Sequence, residues 1–380
     1  MKKKKFLILV NYLSFFLSHR LPIAEALLAR GFDVYIGYGE LRGADPKILE
    51  QKGFKVNFVP IYPGSINLFK DLKTFYHIWN YFKKVKPDIV HLVTIKPYLY
   101  GGIISRIIAV PSLVSAVSGL GTLFVNKNLK SKFLRFLLYP FFKFAFNHVN
   151  QKVIIQNEDD LEILVRWGVL NPLKVKLLKG SGVNLENFVN LNEPKGIPVV
   201  CFAARLLRDK GVYEFVSAAR LLKERGVNVK FYLAGDLDTN NPSGLNLKDL
   251  NELRKEGFIE IIGFQNDIPS LYAQSNIICL PSYREGLPKG LIEAAAASRA
   301  VVTTDVPGCR DAIIPNKTGL LVPVKNPKKL ADALQWLIEH PQKRISMGKA
   351  GRKFAEIEFP IKKIVQNHLD IYQNLLNKTF

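Results

Sequence analysis

Pro281-Ser282-Tyr283-Arg284-Glu285-Gly286-Leu287-Pro288-Lys289-Gly290-Leu291-Ile292-Glu293, running into Ala294-Ala295-Ala296-Ala297, decides how this chain is read. The segment before it, Ser275-Asn276-Ile277-Ile278-Cys279-Leu280, has the character of a short apolar strand, so the unit is strand, loop, helix. Loops of this kind bind phosphate: backbone N–H groups and the positive end of a helix converge there, and glycine lets a ligand approach the main chain. Glu285 falls in the loop and Glu293 in the first helical turn or just beyond, so one carboxylate can reach each side of a bound diphosphate. That geometry suits a nucleotide sugar, with hydroxyls at both ends and charge in the middle. A bare pair of glutamates at this spacing is common, and a helix-capping Glu with a surface Glu is its ordinary reading; the residues around it point away from that.

Outward from this unit, apolar runs alternate with helical patterns. In the first half they fall at Phe6 to Val10, Asp33 to Ile36, Val56 to Ile61, Ile89 to Val93, Leu113 to Val117 and Val153 to Ile155. A second series falls at Val199 to Phe202, Lys230 to Ala234, Ile259 to Ile262, Ile277 to Leu280, Ala300 to Thr303 and Leu320 to Val322. Continuous apolar strands separated by helices imply parallel sheets covered on both faces. A chain of 380 residues is long for one core and natural for two domains. The expectation is therefore α/β, two Rossmann-like doubly wound parallel-sheet domains facing a central crevice. Asn187 to Pro198 has no apolar period and holds the joint, giving domains over 1–190 and 191–360, with a terminal helix over about 361–380 packing back on the first.

Charge is unevenly spread. Residues 1–190 carry 27 Lys and Arg against 12 Asp and Glu, and the remainder 27 against 20. Between Asp88 and Glu158 there is no acidic residue, while Lys96, Arg106, Lys127, Lys130, Lys132, Arg135, Lys143 and Lys152 lie inside. Phe124, Phe133, Phe136, Leu137, Leu138, Tyr139, Phe141, Phe142, Phe144 and Phe146 interleave with these bases. Cations beside large apolar side chains are what an interfacial helix on anionic lipid requires. Nucleic acid is the competing partner, and a place in the core the plainer use of the aromatics. Phe and Leu outnumber Tyr and Arg and no nucleic-acid motif is present, so the reading is an anionic membrane surface and no nucleic acid.

Lys2 to Lys5 followed by an apolar run superficially looks like a secretory signal. Asn11, Ser14 and Ser18-His19-Arg20 interrupt it and no small-residue cleavage site follows. No apolar run reaches the ~20 residues that cross a bilayer. Cys201, Cys279 and Cys309 lie far apart without metal-ligand spacing, as inert thiols in a reducing cytosol do. The expected location is cytoplasmic, peripheral on the inner face of the cytoplasmic membrane.

The Glu285-x7-Glu293 pattern, with Ser282-Tyr283-Arg284-Glu285-Gly286 before it and Leu291-Ile292-Glu293-Ala294 inside it, resembles the signature of retaining family 4 glycosyltransferases of the GT-B fold. Ala203-Ala204-Arg205-Leu206-Leu207-Arg208-Asp209-Lys210-Gly211 resembles that family's strand-end Arg and Lys-Gly segment, and Val302 to Gly308 with Gly319 to Val322 resembles the tail of its nucleotide domain. Phe16 to Pro22 and His91 to Pro97 resemble a bacterial subgroup that elongates lipid-linked oligosaccharides. The resemblance covers nearly the whole chain; its C-terminal motifs are the specific ones.

It implies a hexosyltransferase that moves a sugar, an N-acetylhexosamine from a UDP-sugar, onto a polyprenyl-diphosphate-linked saccharide in the assembly of a bacterial surface or protein glycan. In the implied site Arg205 and Lys210 stabilise the leaving diphosphate and Glu285 contacts the transferred sugar. Glu293 binds the ribose, and Gly286, Leu287, Pro288 and Lys289, with Gly235 and Gly263, line the donor. The resemblance also implies a front-face course, in which a donor phosphate oxygen takes the acceptor's proton; nothing in the sequence identifies a protein nucleophile. His91, after Ile89 and Val90, is expected at a strand end with a role toward the transferring sugar. Related sequences place such a His a few residues on, where this chain has Ile95. His19, Arg20 and Lys96 are the acceptor candidates, although the Gly-Gly of many relatives is missing from Asn11 to Ser18. Asp236-Leu237-Asp238 spells a metal signature of a different fold; here no metal and no cofactor beyond the donor are expected. The competing readings are a UDP-sugar epimerase of the same fold, whose facing carboxylates the acid-free window removes, and a non-catalytic membrane-binding protein, against which Arg205, Lys210, Glu285 and Glu293 together speak.

Overall fold

A computed structural model describes residues 3–377 except 63, 65–66, 122–123, 125–128, 190–191 and 239–240; the side chain of residue 130 is likewise not described. Lys127, and the side chain of Lys130, in the basic window therefore lie outside the described residues. The chain divides into two compact units, Met1–Ser181 with Lys362–Phe380, and Gly182–Ile361. The division falls ahead of the Asn187 to Pro198 joint because Val183 and Phe188 already belong to the second unit's core. Val183 also bridges to Pro360 and accepts the N–H of Ile361, closing that unit at both ends.

In the first unit, β1 (Lys5–Tyr12), β2 (Asp33–Glu40), β3 (Lys55–Phe58), β4 (Ile89–Val93), β5 (Ser112–Val117), β6 (Gln151–Ile155) and β7 (Val175–Leu177) form a parallel sheet in the order β3-β2-β1-β4-β5-β6-β7. Strand alternation splits the run at its centre. Leu7 and Leu9 enter one core with Ile78 and Phe82 of the helix Leu68–Val85, and Phe6, Ile8 and Val10 enter the other. A strand buried on both faces has no polar side to spare, which is why β1 reads as continuously apolar. β7 escaped the sequence reading: it has three residues, sits at the sheet edge, and Lys176 interrupts its apolar character.

The second core is sealed by the helix Ile361–Leu376, through Leu369, Ile371, Tyr372, Leu375 and Leu376. His91 projects from the middle of β4 onto this face, entirely buried. Its Nδ1 lies 2.5 Å from the Tyr372 hydroxyl, and its ring stacks on His368 at 5.8 Å. Burial, with the nearby Arg20 charge, holds both imidazoles neutral: His91 falls well below its usual range and His368 to about 3.

In the second unit, β8 (Val199–Ala203), β9 (Lys230–Ala234), β10 (Glu260–Gly263), β11 (Ile277–Leu280), β12 (Ala300–Thr304) and β13 (Gly319–Val322) form a parallel sheet in the order β10-β9-β8-β11-β12-β13. The helix Lys289–Ala296 packs against the helix Pro341–Glu358. Small residues make that approach possible: a Cβ on Gly348 would lie 2.1 Å from the Ser298 carbonyl oxygen, and one on Gly351 3.5 Å from the Ala295 Cα. The alanine run after Glu293 is thus the smooth face of a tight helix pair. The order of strands reverses between β8 and β11, and in open α/β sheets such a switch point places a ligand site outside the carboxyl ends of the strands.

The neutral histidines set a pH dependence. An imidazole that titrates near 6.5 when unfolded but far lower when folded makes the unfolded chain the better proton acceptor below that pH. Stability should therefore be flat above pH 6.5 and fall as pH drops from 6.5 toward 3, by at most on the order of 1 kcal/mol per pH unit per imidazole. His368→Gln should flatten that slope in urea unfolding monitored from pH 7 to 4. A slope unchanged in the variant would remove His368 as its source.

Candidate functional site

A loop leaves the carboxyl end of each strand of the second sheet, and those after β8 and β11 are locked together. The loop after β8 carries Arg205 and a 3-10 turn, Arg208–Lys210, and ends on Gly211 at φ 79°. A Cβ there would lie 2.1 Å from the carbonyl oxygen of Pro281, the first residue of the loop after β11. Glycine at 211 is thus required twice, by its backbone conformation and by the absence of space. The Tyr283 N–H donates to the Asp209 carbonyl at 2.8 Å and the Ser282 hydroxyl to the same oxygen at 3.0 Å.

This packing places the charged groups. The Lys210 ammonium forms an ion pair with Glu285 Oε1, an oxygen that also accepts from the Ser282 hydroxyl at 2.8 Å. Both side chains are largely buried, at 19% and 12% exposure, so the pair keeps more of its strength than a surface contact would. From the next loop, Glu285 N–H donates to Pro307 O at 3.1 Å, and a Cβ on Gly308 would come within 2.5 Å of the Glu285 and Gly286 carbonyl oxygens. Thr304 Oγ1 donates to the Ser282 carbonyl. The Glu285 loop is therefore held on one side by the β8 loop and on the other by the β12 loop.

Leu287 is buried in the core, and Pro288 precedes the helix Lys289–Ala296, whose first N–H groups have no helical acceptors by geometry. Lys289 Nζ lies 3.3 Å from Glu293 Oε1. Burial raises the Glu293 carboxyl above the usual range, and the Lys289 charge and hydrogen bond oppose that shift without cancelling it. Gly235 and Gly263 meet each other, the Gly235 N–H donating to the Gly263 oxygen at 2.9 Å. Gly235 has no room for a side chain, since a Cβ would lie 1.9 Å from Ala204 O, while the space beside Gly263 is open. Arg205, Lys210, Gly235, Gly263, Glu285, Gly286 to Lys289 and Glu293 all lie at this one edge of the sheet.

Asp238 is the residue whose use sequence reasoning missed. It is buried, and its Oδ2 accepts from Arg205 Nη1 at 2.9 Å. The Asp236-Leu237-Asp238 segment thus orients the guanidinium after β8. No sequence spacing signals such a pairing, because the two loops meet only through strand order, with Leu206 bridged to Leu237. Among the described residues no three His, Cys, Asp or Glu side chains gather where they could hold a metal ion. Cys309 is buried beside Glu285, which together push its thiol up to about 12.

The candidates of the first unit fare differently. His91 does not end its strand: β4 continues through Val93, and the side chain is buried beneath Tyr372 and His368, so its expected role toward a sugar is corrected to one in the core. Arg20, an acceptor candidate, is also corrected: it is buried, at 2% exposure. It donates to the His19 carbonyl at 3.0 Å, and desolvation draws it down to about 10. His19 is the last residue of the helix Leu13–His19 that follows β1, stacked on Phe15 at 4.1 Å with Nδ1 2.6 Å from the Ser18 hydroxyl. Lys96 follows β4 and pairs with Asp71 at 2.5 Å. Thr94, which the sequence did not single out, directly follows β4 with φ 76°, a left-handed backbone that a β-branched residue rarely adopts.

Residues 183–354 match the family described as Glycosyl transferases group 1, and residues 5–157 the one described as Glycosyl transferase 4-like. The chain is 29% identical to the N,N'-diacetylbacillosaminyl-diphospho-undecaprenol alpha-1,3-N-acetylgalactosaminyltransferase of Campylobacter jejuni, over 95% of this chain and 98% of that one. It is 26% identical to the UDP-Gal:alpha-D-GlcNAc-diphosphoundecaprenol alpha-1,3-galactosyltransferase of Escherichia coli, over 84% of each. The structure of Anabaena HepE in complex with UDP and glucose aligns with a TM-score of 0.78 at 19% identity, covering 97% of this chain and 99% of that one. That likeness shows the fold, GT-B.

Lys210→Ala should weaken the binding of a nucleoside diphosphate by roughly tenfold to a hundredfold, the scale of one charge-assisted hydrogen bond. Asp238→Asn, which keeps shape but loosens Arg205, should weaken it less. Calorimetric titration checks both; wild-type affinity in Lys210→Ala would remove these loops as a phosphate site.

Proposed function

Since the chain belongs to the glycosyltransferases, with a 4-like domain followed by a group 1 domain, we propose that it moves a sugar with retention from a UDP-sugar onto a polyprenyl-diphosphate-linked saccharide. The observation that carries this reading is the Lys210–Glu285 pair, fixed by Ser282 and by the Gly211–Pro281 approach at the switch point between β8 and β11. Lys210 and Arg205 neutralise the leaving diphosphate, Glu293 receives the ribose hydroxyls, and Glu285 orients the sugar. The acceptor hydroxyl oxygen bonds to the anomeric carbon as the bond from that carbon to the phosphate oxygen breaks, and the acceptor's proton passes to a donor phosphate oxygen. The residues supply position and electrostatics, and none forms a covalent intermediate. The names of the Campylobacter and Escherichia relatives support a lipid-linked acceptor, and an N-acetylhexosamine is the sugar we assign.

A lipid-linked acceptor is presented at a membrane, and the first unit has a surface suited to one. The helix Leu129–Ala145 exposes Leu129, Phe133, Phe136, Leu137 and Phe141, with Lys132 and Lys143 exposed among them. Phe142 and Phe146, from the same sequence window, are core, and Tyr139 is partly buried against it, so the window divides between packing and surface. No described helix is long and apolar enough to cross a membrane. We place the enzyme peripherally on the inner face of the cytoplasmic membrane, held by apolar contact and by attraction to anionic lipid.

Incubation with a panel of UDP- and GDP-sugars and short polyprenyl-diphosphate saccharides, with products identified by mass, should give one added N-acetylhexosamine from a UDP donor. Arg205→Ala, Lys210→Ala and Glu285→Ala should each reduce turnover by at least ~100-fold. Near-normal turnover in all three would overturn the site assignment. Because two cations replace a metal in this reading, EDTA should leave activity largely intact; complete loss restored by Mn²⁺ or Mg²⁺ would contradict it.

A further inference from the structure

A second apolar stripe stands in the first unit, outside the basic window. The helix Leu68–Val85 buries Ile78, Tyr81, Phe82 and Val85, but its first nine residues show Leu68 at 72%, Phe69 at 83%, Leu72 at 58% and Tyr76 at 62% exposure. The spacing keeps these four on one side of the helix. Lys70 and Lys73 flank them, both exposed, and the intervening acid, Asp71, is bonded by Lys96, so the stripe's surroundings are net positive.

Topology puts this stripe beside the one already described. β3 and β4 are parallel, so the chain leaves β3 at its carboxyl end and the helix between them begins at that edge of the sheet. The helix Leu129–Ala145, between parallel β5 and β6, begins at the same edge. Both helices cover the same face, since Ile78 and Phe82 share one core with Phe142 and Ala145. The π-helical turn Pro97–Gly101 sits between them, Tyr100 meeting Phe75 at 6.3 Å and Tyr98 meeting Phe142 at 6.1 Å.

We propose that the first turns of the helix Leu68–Val85 are a second lipid-contacting element, so that this unit rests on an anionic bilayer at two points. The proposal rests on the membrane reading of the helix Leu129–Ala145. Two apolar footholds on one face fix the unit's tilt as well as its attachment, and the carboxyl edge of the sheet, with Lys96 on it, then faces the lipid headgroups that surround an acceptor diphosphate. Each foothold adds apolar burial that salt does not screen, alongside cation attraction that it does.

The three native cysteines are buried, which allows single-site labelling of full-length protein. Phe69→Cys and Phe136→Cys, each carrying an environment-sensitive fluorophore, would be mixed with vesicles of phosphatidylglycerol and phosphatidylcholine containing chain-brominated lipid. Both labels should shift to the blue and be quenched. Leu68→Ser/Phe69→Ser/Leu72→Ser should lower vesicle partitioning about tenfold or more at high salt, while transfer to a short water-soluble acceptor stays as in wild type. Quenching at 136 with none at 69 would overturn the second foothold and leave the first standing. Quenching at neither would remove the membrane reading itself, and with it this inference.

Discussion

The contact between Gly211 and Pro281 is the constraint on which the site depends. Two loops from neighbouring strands of the second sheet approach so closely that a single Cβ would not fit. Everything chemical follows from that approach: the 3-10 turn before Gly211 aims Lys210 across the gap, and the Ser282 hydroxyl, one residue after Pro281, shares its one proton between the Asp209 carbonyl and the Glu285 carboxylate. A cation and a carboxylate are thereby preorganised at partial burial, where their fields are stronger than in bulk water. Gly308 repeats the device on the other side of the Glu285 loop.

The first unit solves a different problem with similar means. Its sheet is buried on both faces, and one face is closed by a helix from the far end of the chain. That closure places Arg20, His91, His368 and Tyr372 out of water together. Neutral imidazoles answer the desolvation by giving up their protons, while the guanidinium cannot do so and is only drawn down. Polar residues near the start of a sheet's loops are thus not all available to a ligand; here they help hold the terminal helix in place.

Much of this was legible in the sequence. The two series of apolar runs, the glycines and the charged residues from Arg205 to Gly211 and from Glu285 to Glu293 all fall where strand, loop and helix logic puts them. A strand-end place for His91 fails because the whole run Ile89 to Val93 is one strand, β4, whose alternation turns the ring at its middle onto the face that the C-terminal helix covers. Asp238 and the stripe from Leu68 to Tyr76 were illegible for a related reason. The first acts through a partner 33 positions away. The second lies on a helix whose later turns carry an ordinary buried face, so only the observed exposure separates core from surface.

In the proposed function the loops after β8 and β11 bind the donor's diphosphate as one locked unit. Amide hydrogen exchange on the full-length protein, with and without saturating UDP, tests it directly. Slowed exchange is expected in the peptides spanning 205–211 and 281–291 together, with little change in the buried strands beneath them. Unchanged exchange in both peptides at saturation, or protection confined to residues 1–181, would contradict it.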